Sequence, residues 1–412
     1  MTGQPDFTSG ASELLAHSQP DTIRTPARKY NSPMRRRDLL GLMAVSAVNG
    51  YAKSDRVVIA GAGIIGASIA YHLAKRGAQV TVLEKSRPGA GATGKSFAWI
   101  NAFAKEPRSY FDLNLLGIAG WRRLAIEFAG GLHIQWGGSV QWHTTGAEAE
   151  RLRRDVRNME QWGYSSRLIE PSQLSLLLPS IVSGPAAVAC FNDQEGSVDP
   201  MHALDVVLKR AQQAGAKVEH PCEVTGIDWS NGRVRGVQTT RGPVETDFLV
   251  LAAGVDTTRL ARMAQVNVPM KESPGLLAHT KPLPMMLERL AMAPGANMKQ
   301  NLDGRIVTGA DFGGSSTTDA SREMGEKLLR NAQNFLPRLK DAELEKVTLG
   351  FRVLPADDHP IIGFPPRCPN LYAAAMHSGI TLAPFIGQLA ATEILDGVAT
   401  DALAPYRPSR FA

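Results

Sequence analysis

The sequence predicts an α/β protein. A domain with a parallel central sheet is interleaved with a second, α+β domain built on a mixed or antiparallel sheet. Three observations predict it. The short apolar run Arg56–Ala60 passes through a glycine-rich turn into a helical pattern and then a second apolar run, Gln79–Leu83. Two more apolar runs, Asp247–Leu251 and Leu371–Met376, lie far downstream, so one sheet is gathered from distant segments. Between them, Val188–Phe191 and the Pro269–Thr308 region read as strands of another sheet. With 412 residues, 43% of them hydrophobic, the chain can fill more than one core.

Residues 1–33 are polar and rich in Pro, Ser and Thr, a composition that cannot bury a core. Met34-Arg35-Arg36-Arg37-Asp38-Leu39-Leu40 then precedes the apolar run GLMAVSAV, with Gly50 and Ala52 as small residues before Lys53. A charged region, a short apolar run and a small-residue site describe an export signal. The consecutive arginines resemble the twin-arginine type, which implies a periplasmic location; the alternative is a basic tail with a short amphipathic helix and a cytoplasmic protein. The net charge is +6, and residues 1–53 hold seven Lys or Arg against four acids. The body carries no basic run, which argues against nucleic acid as a partner. Cys190, Cys222 and Cys368 are widely spaced and odd in number, so neither a disulfide framework nor a zinc site is expected.

The first turn is Gly61-Ala-Gly63-Ile-Ile-Gly66. Gly61 permits a tight turn, Gly63 a close backbone approach, and Gly66 close packing of helix on strand. The first helical turn would present its amides and positive dipole end to phosphates. Glu84 ends the second strand, where a carboxylate can accept from ribose hydroxyls and would repel a 2′-phosphate. Strand, glycine turn, helix and acid together indicate a dinucleotide, FAD or NAD rather than NADP.

Further elements follow. A Gly/Ala/Ser-rich stretch spans Pro88–Asn101. A helix is expected over 203–214, strands over 217–224 and 234–240, and the strand at 247–251 ends in Ala252-Ala253-Gly254. Gly350-Phe-Arg352 leads to His359-Pro-Ile-Ile-Gly363. His377-Ser-Gly-Ile-Thr-Leu-Ala-Pro384 reads as a loop, with a helix from about Pro384. In the middle, 106–130 and 147–162 read as helices, and 132–144 as a strand pair around Gly137-Gly138.

These pieces, in this order, resemble the D-amino-acid oxidase family of FAD-dependent oxidoreductases, which includes glycine oxidase, sarcosine oxidase and D-amino-acid dehydrogenases. The resemblance covers roughly residues 55–396. It implies an FAD-binding domain from 54–130, 196–262 and 349–405, and a substrate domain from 131–195 and 263–348. It implies FAD contacts at Gly61, Gly63, Ile64, Ile65 and Gly66, at Glu84 with Lys85, and at Thr93, Lys95 and Ser96. Val224 would lie against the adenine, Ala253 and Gly254 would close a second turn, and Gly379, Ile380, Thr381 and Leu382 would surround the flavin pyrimidine. Sarcosine oxidases attach FAD to a cysteine near the segment matched here by Gly350–Pro355. No cysteine lies there, so non-covalent FAD is expected.

The resemblance also implies the chemistry. Arg352 would pair with a substrate carboxylate, its fork matching both oxygens. Hydride would pass from the carbon bearing a neutral amine to flavin N5, leaving an imine that hydrolyses, with oxygen or a respiratory carrier as final acceptor. His377 is the histidine best placed for a part in catalysis, ahead of His359 and His279. Trp99, Phe103, Trp136, Trp142 and Phe351 are candidates to line the pocket. The substrate expected is an amine or amino acid. The competing readings are oxidation of a hydroxy acid or of an amine without a carboxylate, and a flavin-binding subunit with no turnover of its own.

Overall fold

The computed structural model describes residues 55–144, 146–310 and 317–412. The tail and leader expected before residue 54 lie outside the described residues. The central sheet has six strands in the spatial order Ile361–Gly363, Leu371–Ala375, Phe248–Leu251, Arg56–Ala60, Gln79–Leu83 and Lys217–Glu219. All pairings are parallel except at the Ile361–Gly363 edge. Ile59 faces Val82 on one side and Val250 on the other, and all three are buried. This is why these strands read as continuous apolar runs: both faces of the sheet are covered.

The helix Ile64–Lys75 covers one face and packs on the helix Gly379–Asp396. The approach is close because the residues are small: a Cβ on Gly387 would overlap Ser68. The helix Arg108–Glu127 packs on the other side of Gly379–Asp396, where a Cβ on Gly117 would come 2.5 Å from the Thr381 carbonyl oxygen.

The second sheet has eight strands in the order Leu344–Phe351, Pro274–Thr280, Ile306–Gly309, Ala296–Gln300, Leu290–Ala293, Ser139–His143, Val188–Asn192 and Ser166–Ile169. It is antiparallel except where Leu290–Ala293 runs parallel to Ser139–His143. The helix Arg322–Gln333 covers one face through Leu328, Leu329 and Ala332. The opposite face carries Leu277, Met292 and Val307, packed against Phe97 and Trp99.

Three expectations are corrected. Only Ser139–His143 forms a strand in 132–144; the stretch before it makes one bridge, Gln135 to Ser197, to the two-stranded sheet of Trp99–Ile100 and Gly196–Ser197. Gly138 has φ +79°, and Gly137 lies against the Glu288 backbone, so the two glycines steer the chain beside Leu290–Ala293 and form no hairpin turn. The strand expected over 217–224 divides at Pro221 into Lys217–Glu219 and Val224–Ser230, since proline has no N–H to give a ladder. The last long helix starts at Gly379, five residues before Pro384. Pro384 cannot donate to the carbonyl of Ile380, and the Trp121 indole N–H fills that place at 2.7 Å. A side chain from a neighbouring helix thus makes the internal proline tolerable.

Candidate active site

A cavity of about 520 Å³ runs from the carboxyl ends of the parallel strands to the open face of the eight-stranded sheet. Its floor is the first glycine turn. Gly61 has φ +109°, and a Cβ there would sit 2.5 Å from the Ala252 carbonyl oxygen, so the strand crossing leaves room for glycine alone. At Gly63 a Cβ would meet Thr93 Oγ1 at 3.2 Å, and the same hydroxyl accepts the Ile64 N–H at 3.1 Å. The residue before this helix, Gly63, has no side chain to cap it, and its first turn holds no acid. The helix Gly379–Asp396 starts against the same cavity, again without a capping side chain or a first-turn acid. The Ser378 hydroxyl accepts from Tyr110 instead. Two positive helix ends without acids in their first turns and a glycine floor suit a long ligand with anionic groups.

Glu84 stands at one end of the cavity. Its Oε2 accepts the Ala62 N–H and its Oε1 the Ser86 N–H, each at 3.0 Å, which fixes the carboxylate beside the glycine turn. Val224, Ala253 and Gly254 line this end too, and Arg259 pairs there with Glu223 at 3.1 Å and Asp256 at 2.8 Å. These groups fit an adenosine: an acid for ribose hydroxyls and backbone for the base.

On another wall of the cavity Arg352 follows the edge strand Leu344–Phe351. Its N–H donates to the Ser273 carbonyl at 2.8 Å and its Nη1 to Ser273 Oγ at 3.3 Å, with the guanidinium lying along Gly275. Burial lowers its pKa, as expected of a cation held away from water. His377 lines the cavity nearby. Burial, with Lys105 and Arg352 close at hand, pushes its pKa down to about 3, so its imidazole is neutral.

Of the residues expected at the site, Gly61, Gly63, Ile64, Ile65, Glu84, Lys85, Thr93, Lys95, Ser96, Val224, Ala253 and Gly254 line the cavity. Gly379, Ile380, Thr381, Arg352 and His377 line it as well. Two do not. Gly66 faces the strand, where a Cβ would overlap the Gly61 carbonyl, and Leu382 points into the main core, fully buried. Both lie a turn into their helices, and the helical rotation carries them away from the opening. Trp99 and Phe351 line the cavity, whereas Phe103 and Trp142 are packed in cores and Trp136 sits beneath Arg122. His279 bonds Thr348 and His359 bonds the Asp357 backbone; neither lines the cavity. The three cysteines are buried and free, and none lines it.

Two residues at the site escaped the sequence. Lys105 lines the cavity near His377, and burial lowers its pKa to about 8. Glu195 is fully buried behind Trp99 and takes hydrogen bonds from Trp99, Ser139 and Tyr164. Neither sits in a motif. The stretch AKEP beyond the small-residue loop offers one charge among many, and only the pairing of Trp99–Ile100 with Gly196–Ser197 brings Glu195 alongside.

Comparison with known proteins agrees with this geometry. The chain is 27% identical over 376 residues to one of the subunits of opine oxidase from Agrobacterium tumefaciens (strain Ach5), covering 86% of this chain and 97% of that one. It is 26% identical over 367 residues to glycine oxidase of Bacillus licheniformis, with 86% and 97% covered. Among solved structures, L-proline dehydrogenase from P. horikoshii superposes with a TM-score of 0.78 at 24% identity, over 87% of this chain and 98% of the other. Glycine oxidase from Geobacillus kaustophilus gives the same score and identity over 87% and 99%. Residues 56–393, from the first parallel strand to the last long helix, match the DAO family, and the chain therefore belongs to the FAD-dependent oxidoreductases of that family.

Proposed function

We propose that this enzyme oxidises the carbon–nitrogen bond of an amino acid or N-alkyl amino acid and holds its FAD without a covalent link. Arg352 carries this reading: a partly buried guanidinium, anchored at the end of a sheet strand and lining the cavity. A carboxylate there gains a bidentate, charge-assisted pair in a site shielded from water. Relatives named for opine and glycine oxidation support the same substrate class.

Gly61, Gly63 and the amides of Ile64 and Ile65 would hold the diphosphate, with the Thr93 hydroxyl beside them. Glu84 would hold the ribose, and Gly379–Thr381 the pyrimidine edge. Bound FAD supplies a two-electron acceptor for the hydride that leaves the substrate carbon. The protein's own part is to orient and to exclude water. Arg352 fixes the carboxylate, Trp99 and Phe351 supply apolar walls, and His377, being neutral, can exchange a hydrogen bond without repelling a cationic substrate. The helix end at Gly379 favours negative charge where it accumulates during reduction.

The experiment is anaerobic addition of D- and L-amino acids and their N-methyl and N-carboxyalkyl derivatives to the FAD-loaded protein. Loss of the yellow absorbance with at least one of them is expected. A broad panel that never bleaches the flavin overturns the reading. Denaturation with acid should release all the colour into the supernatant; colour that stays on the polypeptide overturns the non-covalent assignment.

We further propose that the arginines at 35–37 and the apolar run after them form a twin-arginine-type leader. Replacing all three by lysine should leave the protein in the cytoplasmic fraction, and unchanged fractionation would refute it.

A further inference from the structure

The chain enters the helix Gly379–Asp396 through one residue in an unfavourable conformation. Ser378 has φ 55° and ψ 24°, left-handed values at which Cβ crowds the following carbonyl oxygen. Its own carbonyl accepts the Leu382 N–H at 3.0 Å, the first bond of the helix. The amides of Gly379, Ile380 and Thr381 are left without an acceptor among the described residues. All three residues line the cavity, as does Ser378. The helix itself is tied at two points. Trp121 donates to the Ile380 carbonyl at 2.7 Å, and the Thr381 hydroxyl accepts the Asn101 N–H at 3.2 Å. The turn ahead of the helix has a different holder. Among the described residues the Ser378 hydroxyl bonds to Tyr110 alone, whose O–H donates to it at 3.0 Å.

Tyr110 reaches this place from the first turn of the helix Arg108–Glu127 and does not itself line the cavity. Its ring is buried, edge-on to His359 with centroids 5.8 Å apart and tilted against Tyr406 at 6.3 Å. Burial pushes its hydroxyl up to about 12, so it stays a donor at neutral pH. A serine freed of this bond gains by leaving the left-handed region, and that movement turns the peptide between Ser378 and Gly379. We propose that Tyr110 is a positioning residue for the flavin: by holding Ser378 in its left-handed turn, it aims the Gly379 and Ile380 amides at the pyrimidine edge of bound FAD. Amides so aimed favour negative charge on the ring they face, and so they set how readily the flavin accepts electrons. This rests on the pyrimidine edge lying at Gly379–Thr381, as proposed above.

The test uses glycine, which adopts left-handed backbone values without strain. The FAD-loaded enzyme and its variants are each equilibrated, without oxygen, with a reductant and a redox dye of similar potential. The ratio of reduced to oxidised flavin is read from absorbance at a fixed state of the dye. In Tyr110→Phe that ratio should fall at least about fivefold, as expected for the loss of one ordinary hydrogen bond. In a Ser378→Gly background, where the turn needs no bond, adding Tyr110→Phe should change it by less than about twofold. If Tyr110→Phe does not retain FAD, the same comparison is read as FAD affinity, which Ser378→Gly should restore. An unchanged or higher ratio in Tyr110→Phe overturns the proposal, and so does a fall or a loss of FAD that Ser378→Gly does not repair. Gly379→Asp checks the parent reading. Its side chain has room, the nearest atom to a Cβ there being Ile65 Cγ1 at 3.7 Å. Its carboxylate should lower the ratio or weaken FAD binding. If it does neither, the flavin lies elsewhere and both readings fall. An effective Gly379→Asp beside an ineffective Tyr110→Phe removes the positioning role alone.

Discussion

Glu195 Oε2 accepts the indole N–H of Trp99 at 2.8 Å, tying a wall of the cavity to a carboxylate that has no contact with solvent. Ser139 donates to the same oxygen and Tyr164 to the other at 2.9 Å, so the carboxylate joins the loop after Trp99 to the second sheet. Burial raises its pKa to about 7 against these three bonds, which lower it. In the unfolded chain a glutamate titrates near 4.3. The folded state therefore binds the extra proton, and its stabilising contribution is full below about pH 4 and lost as pH rises through about 7. Across that window it is on the order of 3 kcal/mol. Melting temperatures of the natural protein and Glu195→Gln, taken from pH 4.5 to 8, should converge toward high pH or cross, the variant lacking this slope. Parallel curves would show that Glu195 stays ionised.

Arg352→Lys keeps the charge and loses the fork. Truncating or altering one partner of a shielded charge pair costs about 2–4 kcal/mol, so kcat/KM for the best amino-acid substrate should fall roughly 30- to 1000-fold. Because the carboxylate does not change in the reaction, most of the loss should appear in KM. Steady-state rates over a substrate series decide this, and an unchanged KM would show that the arginine serves the fold alone.

Glu84→Gln weakens a doubly used carboxylate. One amide of the pair Ala62 and Ser86 loses its acceptor, and the proposed ribose contact loses its charge. A charge-assisted hydrogen bond contributes about 1.5–3 kcal/mol, so FAD should bind at least tenfold more weakly. The flavin-to-protein absorbance ratio after gel filtration at low concentration reads the effect directly. A fully loaded variant would place the ribose elsewhere.

His377 is neutral down to about pH 3, because burial and the cations around it disfavour the imidazolium. The acid limb of a kcat/KM profile between pH 5 and 9 must then come from another group, such as the substrate ammonium. His377→Asn should lower the rate without moving that limb. A limb that shifts with the substitution would make His377 the titrating base.

The parallel half of the fold was legible because its strands are buried on both faces and so read as unbroken apolar runs. Gly61 and Gly63 were legible because a turn this tight tolerates nothing larger. The start of the last helix was not. Pro384 reads as a boundary when local propensity is considered alone, and only Trp121, 259 residues before the carbonyl it satisfies, removes the objection. Lys105 and Glu195 were invisible for the same reason. Each owes its environment to segments far away in the chain: the His377 loop for one, and Trp99, Ser139 and Tyr164 for the other. The strand pair expected around Gly137-Gly138 failed because the partners of Ser139–His143 are Val188–Asn192 and Leu290–Ala293, both far along the chain.

The central sheet places Phe248–Leu251 between Arg56–Ala60 and Leu371–Ala375, and Arg407 grips Glu393 with two bonds of 2.6 and 2.8 Å at the base of the helix that bounds the cavity. During synthesis the glycine turn leaves the ribosome more than 300 residues before the helix end that faces it. Once Phe248–Leu251 has been made, Leu249 and Leu251 wait on an uncovered sheet edge until Leu371–Ala375 follows, more than 100 residues later. The cavity is complete only once Gly379–Asp396 has been made. An unpaired sheet edge of this kind is a template for pairing with other chains, and the last two strands are what remove it.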